Sequence, residues 1–500
     1  MKRNRFNFII CLDYVMGLRY YCTSILILLQ FQSSAQDVPV VRLSLNEIIS
    51  IAKQNSTASL QAATIKETRY WQWKTFRSNY KPQLMLNGTL PEFNRNNIAV
   101  TQPDGTIEFQ PVANDNSSLN LGITQNIGLT GAQVFLNSSL LRFQDFDRKQ
   151  TRYNGNPLII GFNQPLFAFN PLAWDKKTEP LKYEESQKQF SEDMEEVGYT
   201  ASALFFNLMI SQINHDIAEK NKINNDTIYK IALVRSELGR LSKDELLQLR
   251  LATLNAGKAL AQANLNSESA MLQLKSYIGY KENNMIELVL PENLPVFEID
   301  ADAAIREARS NKRQTIEYKR ALLEAQREVA KAHGDNGLNA SLFGTFGLTN
   351  RASDIGGIYR DPRDQQAVRL GFQIPIMDWG RSASRVKTAQ ANQKWVEYNI
   401  AQQEINFDQA ILTQVKQFNM IRAQMQYNME ADKTAEERYG IARNRYLLGD
   451  LSITDLNIAL QEKDQAKRDY ILSLKSFWDA YYNIRTLTLY DFEKDQKIQN

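Results

Sequence analysis

The side chains best suited to chemistry are scarce in this sequence. In 500 residues there are two histidines, His215 and His333, and two cysteines, Cys11 and Cys22. The histidines fall on separate helical runs without a nearby Cys or a Glu-x-x-His pattern, so they compose neither a zinc site nor an acid–base pair. No Gly-x-x-x-x-Gly-Lys-[Ser/Thr] phosphate loop is present, so any energy must come from a partner. Both cysteines precede residue 36, which leaves the rest without disulfides, thiolate metal sites or Cys nucleophiles. Carboxylates are plentiful, but no spacing pairs them for acid–base work. The expectation is a protein that is not an enzyme and needs no cofactor or metal.

The spacing that does repeat belongs to turns. Leu238-Gly239-Arg240-Leu241-Ser242-Lys243-Asp244-Glu245-Leu246 recurs as Leu448-Gly449-Asp450-Leu451-Ser452-Ile453-Thr454-Asp455-Leu456. Glycine supplies the left-handed backbone that ends a helix. Ser242 and Ser452 are N-cap candidates, with carboxylates Glu245 and Asp455 three residues on, as in a capping box. Each copy therefore reads as a tight tip between two long antiparallel helices.

The elements that carry these tips are themselves duplicated. Ser44 caps a helix whose stripe is Leu45, Ile48, Ile49 and Ala52, and the helical pattern runs to about Phe76. The period then changes: Leu84, Leu86 and Leu90 face one way, with Gln83, Asn87 and Thr89 opposite, as in a strand with one apolar side. A shift of 256 maps Leu43 onto Ile299, Ala52 onto Ala308 and Gly88-Thr89 onto Gly344-Thr345. Further on the shift is 210, taking Gly161-Phe162 onto Gly371-Phe372 and Leu238-Gly239 onto Leu448-Gly449. Equal offsets at separated landmarks indicate an internal duplication. The fall in offset places an insertion of about 46 residues between the strands of the first copy, read as an extra β-hairpin over Leu119–Thr124 and Val134–Ser138.

Each repeat is thus helix, strand, loop, strand, long helix, tip, helix. The long helix spans roughly 60 residues, or about 90 Å. Phe190, Met194, Val197, Ala201, Leu204 and Leu208 mark a coiled-coil seam in the first copy. Leu456, Leu460, Tyr470, Leu474, Phe477, Tyr481 and Ile484 mark one after the second tip. The divisions expected are a signal peptide over 1–35, a first repeat over 36–284, a connector over 285–298, a second repeat over 299–490 and a loose polar tail over 491–500. The signal peptide rests on basic residues ahead of Ile25–Leu29 and on Ser33-Ser34-Ala35, with translation starting at Met1 or Met16. Removing 1–35 takes the net charge from +3 to zero, so no nucleic-acid partner is implied.

Secretion with alternating strands suggests a β-barrel in an outer membrane, facing lipid on one side and water on the other. Too few strands are present to close a barrel alone, so several chains must share one. The long helices carry too narrow an apolar seam to lie in lipid and must project as a helical tube. The fold class expected is mainly α with β, an oligomeric barrel continued by a coiled-coil barrel. The competing readings are a trimeric structural or adhesive coiled-coil surface protein, and a general porin without pump coupling.

The order of these motifs resembles the TolC family of outer-membrane efflux proteins over nearly all of the chain after residue 35. The resemblance is carried by the Leu43-Ser44-Leu45-Asn46-Glu47 helix start, the paired Gly-Phe-x-x-Pro-[Leu/Ile] strand ends, Asp378-Trp379-Gly380 before the second long helix, and the two tips. It implies a homotrimer with one shared barrel, seated in outer-membrane lipid, with a periplasmic α-helical tunnel. It implies docking of the tips (Leu238, Gly239, Leu241, Ser242, Leu448, Gly449, Leu451, Ser452) onto a periplasmic adaptor, or membrane fusion protein, and through it an inner-membrane pump. The cargo, small molecules for drug efflux or polypeptides for type I secretion, is left open. The family's gate positions match Tyr446, Asp455 and, in the first repeat, Glu245. The family's gating arginine and second aspartate are replaced by Leu451 and Ile458. Threefold repetition of Asp455 would concentrate negative potential in a narrow mouth, whereas a purely capping Asp455 would not.

Overall fold

The computed structural model describes residues 40–498 apart from Arg240, Asn283, Glu292, Asn293, Leu294, Val296 and Gly449. The expected signal peptide with both cysteines, and Gly449 of the second tip, lie outside the described residues. No described helix is long and apolar enough to cross a membrane.

The first half opens with β1 (Val40–Leu43), α1 (Leu45–Asn55) and α2 (Thr57–Ser78). Strands β2 (Gln83–Thr89), β3 (Phe93–Thr101), β4 (Ile107–Ile127), β5 (Ala132–Asp145) and β6 (Gln150–Leu166) follow. Then come the long helix α3 (Pro171–Glu237), its return helix α4 (Lys243–Ile278) and β7 (Met285–Leu288). The second half holds α5 (Ala301–Asn311), α6 (Arg313–Asp335), β8 (Asn339–Ala352), the short α7 (Ile355–Ile358), β9 (Arg363–Gln373), α8 (Arg381–Leu448) and α9 (Ile453–Thr488). A small hairpin, β10 (Tyr490–Asp491) with β11 (Gln496–Lys497), ends it. Helices α1 and α5 begin 256 residues apart, and α3 and α8 begin 210 apart, matching the sequence offsets.

The expected continuous first helix is broken at Ser56. Its N–H closes α1 on the Ala52 carbonyl at 3.0 Å, and its fully buried hydroxyl accepts from Ser59 N at 3.1 Å to start α2. Ser and Thr compete with the helix backbone in this way, which a periodicity argument overlooks. Helix α3 has 67 residues and α8 has 68, about 100 Å each at 1.5 Å per residue.

The helices stand as four columns. Helix α3 packs against α4 and α9, α9 packs against α8, and nearer the sheet α2 lies on α3, α3 on α6 and α6 on α8. The column order is therefore α2/α4, α3, α6/α9, α8. The core sits where the short helices meet the long ones. There Ile48 and Ala52 of α1, Ala201, Phe205, Phe206 and Leu208 of α3, Phe418 of α8 and Leu474 and Phe477 of α9 are essentially inaccessible. The expected seam runs through Val197, Ala201 and Leu208, but Phe205 and Phe206 are buried as well, because four neighbours demand a wider stripe than a two-helix seam.

Strand β1, absent from the sequence reading, pairs in parallel with β7 and ties Val40–Leu43 to the connector. The tail expected to be loose is held as far as Ile498: Leu489 takes a left-handed turn, and Asp491, buried, pairs with Arg485. The ion pair anchors the hairpin at Asp491, while Glu493–Lys497 stay exposed.

Candidate functional site: an open-edged sheet and two helical tips

One seven-stranded antiparallel sheet caps the helical columns, in the order β2-β4-β5-β6-β8-β9, with β3 also pairing with β4. Strands β2 and β3 lie end to end along the 21-residue β4, so the sheet is six strands wide. The expected hairpin insertion joins this sheet as β4 and β5, which separate β2 from β6; in the second half β8 and β9 pair directly. The strands run well past Leu119–Ser138, because their outer halves are polar and lack a clear alternation.

Alternation divides the sheet into two unlike faces. Leu84, Ile123, Leu136, Ile160 and Phe346 stand directly opposite one another across five strands. On the other face Asn87, Asn120, Ser139 and Asn156 form an equally continuous row. Leu84, Leu370 and Phe372 are 66%, 61% and 72% exposed in the single chain. A belt of this kind suits lipid and does not suit water. Toward the loops the same face turns polar, where Arg142 pairs with Asp115 at 3.1 Å and Ser117 donates to Asp115 at 2.8 Å. Helix α7 sits on that rim: Asn350 donates to the carbonyls of Gly357 and Arg360 at 2.8 and 2.7 Å.

Glycines let aromatic rings lie flat on the sheet. A Cβ at Gly161 would stand 2.3 Å from the Phe135 ring and 2.9 Å from the Gly344 carbonyl. Phe135 in turn stacks on Phe343, ring centres 6.2 Å apart.

Both lateral edges are open. Strands β2 and β9 have no outer partner and are exposed throughout, apart from Gly371 of β9, which is half-buried. Long unpaired edges of this kind are normally avoided in a finished structure. Six antiparallel strands leave β2 and β9 running in opposite directions, so β9 of one copy can continue the ladder onto β2 of another without a parallel pair. The outer helical columns match this. Leu247, Leu251, Leu254, Leu265 and Leu272 line an exposed face of α4, and Tyr398, Ile405 and Leu412 recur every seven residues on an exposed face of α8.

At the far end, the first tip has the expected geometry. Gly239 has φ +68° and Leu238 closes the helix on the Val234 carbonyl at 3.1 Å. Ser242 accepts from Glu245 N at 3.2 Å while the Glu245 carboxylate accepts from Ser242 N at 3.0 Å. These hydrogen bonds from the Ser242 backbone and hydroxyl hold the Glu245 carboxyl below the usual glutamate range. In the second tip Ser452 accepts from Asp455 N at 3.1 Å and donates to the Asp455 carboxylate at 2.7 Å. The shorter Asp side chain does not complete the reciprocal bond to backbone, which leaves Asp455 less fully committed to the cap. Tyr446 and Leu451 pack against Ala442, Leu456 and Ala459 within their own hairpin, Leu238 and Leu448 are exposed, and Leu241 is half-buried. Ile458 is exposed.

Of the two histidines, His333 is exposed on α6. His215, Asp216 and Glu219 offer ligand atoms within 4.8 Å of one another, all from one stretch of α3, with both carboxylates exposed. Sequence reasoning treated His215 alone and missed the neighbouring acids at i+1 and i+4.

Comparison with known proteins bears on the whole arrangement. The family pattern described as outer membrane efflux protein matches residues 304–488. Among solved structures, a membrane protein from Pseudomonas aeruginosa aligns with TM-score 0.63 at 12% identity, covering 91% of this chain and 92% of its own. The Campylobacter jejuni CmeC outer membrane channel aligns with TM-score 0.62 at 18% identity, covering 91% of this chain and 87% of its own. The Neisseria gonorrhoeae MtrE outer membrane channel, in its open state, aligns with TM-score 0.61 at 15% identity, covering 91% of each chain. Such identities speak for a common fold. No curated protein sequence matches the chain.

Proposed function

We propose that this chain, whose residues 304–488 match the outer membrane efflux protein family, is the outer-membrane exit duct of a tripartite export system. Three copies join head to tail, β9 of each onto β2 of the next, to close a barrel whose apolar belt meets lipid and whose Asn and Ser rows line water. The exposed seams of α4 and α8 meet between the same neighbours and continue the barrel as a helical tunnel into the periplasm. The observation that carries this reading is the coincidence of open edges: sheet and helical columns end on exposed edges at both sides of one chain. An adhesive stalk would have no use for the belt, and a simple porin none for helices of 67 and 68 residues. The matching offsets of the two halves support descent from a duplicated unit.

The tips Leu238–Ser242 and Leu448–Ser452 dock on a periplasmic adaptor that links the duct to an inner-membrane pump. Tyr446, Asp455 and Glu245 stand at the narrow end as gate candidates. The duct is passive, and cargo choice lies with the pump. Single-channel recording of the purified protein in a planar bilayer tests the proposal. Small, discrete, mostly closed events are expected; large steady currents would identify an ungated porin, and a trimer that never conducts, even with adaptor added, would refute the duct.

A further inference from the structure

We infer that the inserted hairpin gives this duct an outer mouth as wide as its helical tunnel, so that bulky cargo meets no second constriction on leaving. The inference rests on the trimeric duct proposed above. Each copy contributes six strands abreast and four helical columns. Six strands about 4.8 Å apart and tilted about 40° occupy roughly 38 Å of wall. Four helices about 9–10 Å apart occupy roughly 36–40 Å. The two layers therefore match. Without β4 and β5 each copy would offer four strands, roughly 25 Å of wall, and the barrel would pinch the tunnel.

For three copies this means eighteen strands, a backbone diameter of about 36 Å and a free bore of about 25 Å after inward side chains. A four-strand copy would give about 24 Å and a bore of about 14 Å by the same geometry. Nothing among the described loops fills the wider bore. The turns between β3 and β4, β4 and β5, and β5 and β6 are short, and α7, in the longest loop, lies on the lipid-side rim rather than over the polar face. The inward face carries Asn87, Asn120, Ser139 and Asn156 toward the loops, and nearer the helices the Phe135 and Phe343 rings lie stacked along the wall rather than across the bore. Size selection then falls to the tips, and the cargo class that fits is one too wide for a four-strand mouth: polypeptide segments or large polar solutes.

The test uses a single reporter, Thr345→Cys, on the polar face of β8 and in a chain with no native cysteine after Cys22. Maleimides carrying polyethylene glycol of graded size are applied from the loop side to the full-length protein, with Cys11→Ser and Cys22→Ser removing the native thiols, in proteoliposomes. A reagent about 20 Å across is expected to label within several-fold of the rate of a small maleimide, on a complex whose native mass corresponds to three copies. Labelling by the small reagent alone overturns the wide mouth but leaves the duct intact. No labelling by either refutes the wet lumen itself, and with it the function proposed above. A mass for any other number of copies overturns the eighteen-strand count. A second variant lacking residues 100–145, which imitates the second half, is expected to keep the small reagent and exclude the large one. If it assembles and still admits the large one, the hairpin does not set the width.

Discussion

Glu195 is the most consequential buried charge in the helical part, and its removal has a calculable effect. It is 1% exposed on α3, with Lys53 of α1 at 2.6 Å and Arg485 of α9 at 3.0 Å. Arg485 also pairs with Asp491 in the terminal hairpin. Two cations and two anions thus bind four segments from both halves. Burial pushes the Glu195 carboxyl up, and Arg485 and then Lys53 more than reverse this, so it titrates below the usual glutamate range. Breaking a buried pair by removing one partner costs about 3–5 kcal/mol. Here Arg485 keeps Asp491 and Lys53 is 24% exposed and can turn to water, so Glu195→Gln is expected to cost about 2–3 kcal/mol, the value of a charged buried hydrogen bond. In Arg485→Met the same substitution should cost distinctly less, because the partner is already gone.

The assay is denaturant unfolding of the detergent-solubilised protein, followed by near-ultraviolet circular dichroism. Trp478, buried against Tyr481 and Tyr482, is a suitable reporter. The pH dependence has a definite sign. A carboxyl whose folded pKa is depressed stabilises fully above its unfolded value and loses that contribution as pH falls through the folded value. The gap between native protein and Glu195→Gln should therefore be constant from pH 8 to about 5 and close below the ordinary glutamate value. A variant as stable as the native protein at pH 7, or a gap that widens on acidification, would refute the reasoning.

Other consequences are equally direct. Gly161→Val should block barrel assembly, since its first side-chain atom would meet the Phe135 ring and the Gly344 carbonyl; heat-resistant oligomer on a gel is the readout, and normal assembly would contradict the close packing. Asp455→Ala should reduce the cation preference of the pore, read as a shifted reversal potential in a salt gradient; an unchanged potential would leave Asp455 a helix cap only. Ser242→Ala should loosen the first tip by about 1 kcal/mol, seen as faster amide exchange over Leu246–Leu249, with the barrel unaffected.

Much of this architecture was legible before any coordinates. Apolar residues two apart marked β2, β8 and β9, and Gly239 with Ser242 marked the first tip, because backbone geometry there follows from local chemistry. The repeated offsets of 256 and 210 carried the rest, since the second half has fewer strands and reads more plainly. What escaped notice depended on distant partners. Strand β1 exists only by pairing with β7, 245 residues on. Phe205 and Phe206 are buried together only because α1 and α9 close over α3. The terminal hairpin is organised by Arg485, and β3 by the far half of β4. Polar residues engaged in pairing look, in sequence, like residues facing solvent.

The central claim is that β9 of one copy completes the sheet at β2 of the next. Cysteine pairs across that edge test it most directly. Leu86→Cys on β2 would be combined in turn with Gln366→Cys, Val368→Cys, Leu370→Cys and Phe372→Cys on β9, and oxidised in native membranes. The account predicts that at least one pair yields covalent dimers and trimers, that no single variant does, and that the ladder stops at three. Links that join β9 to β9, or a ladder with no end, would contradict a closed head-to-tail barrel.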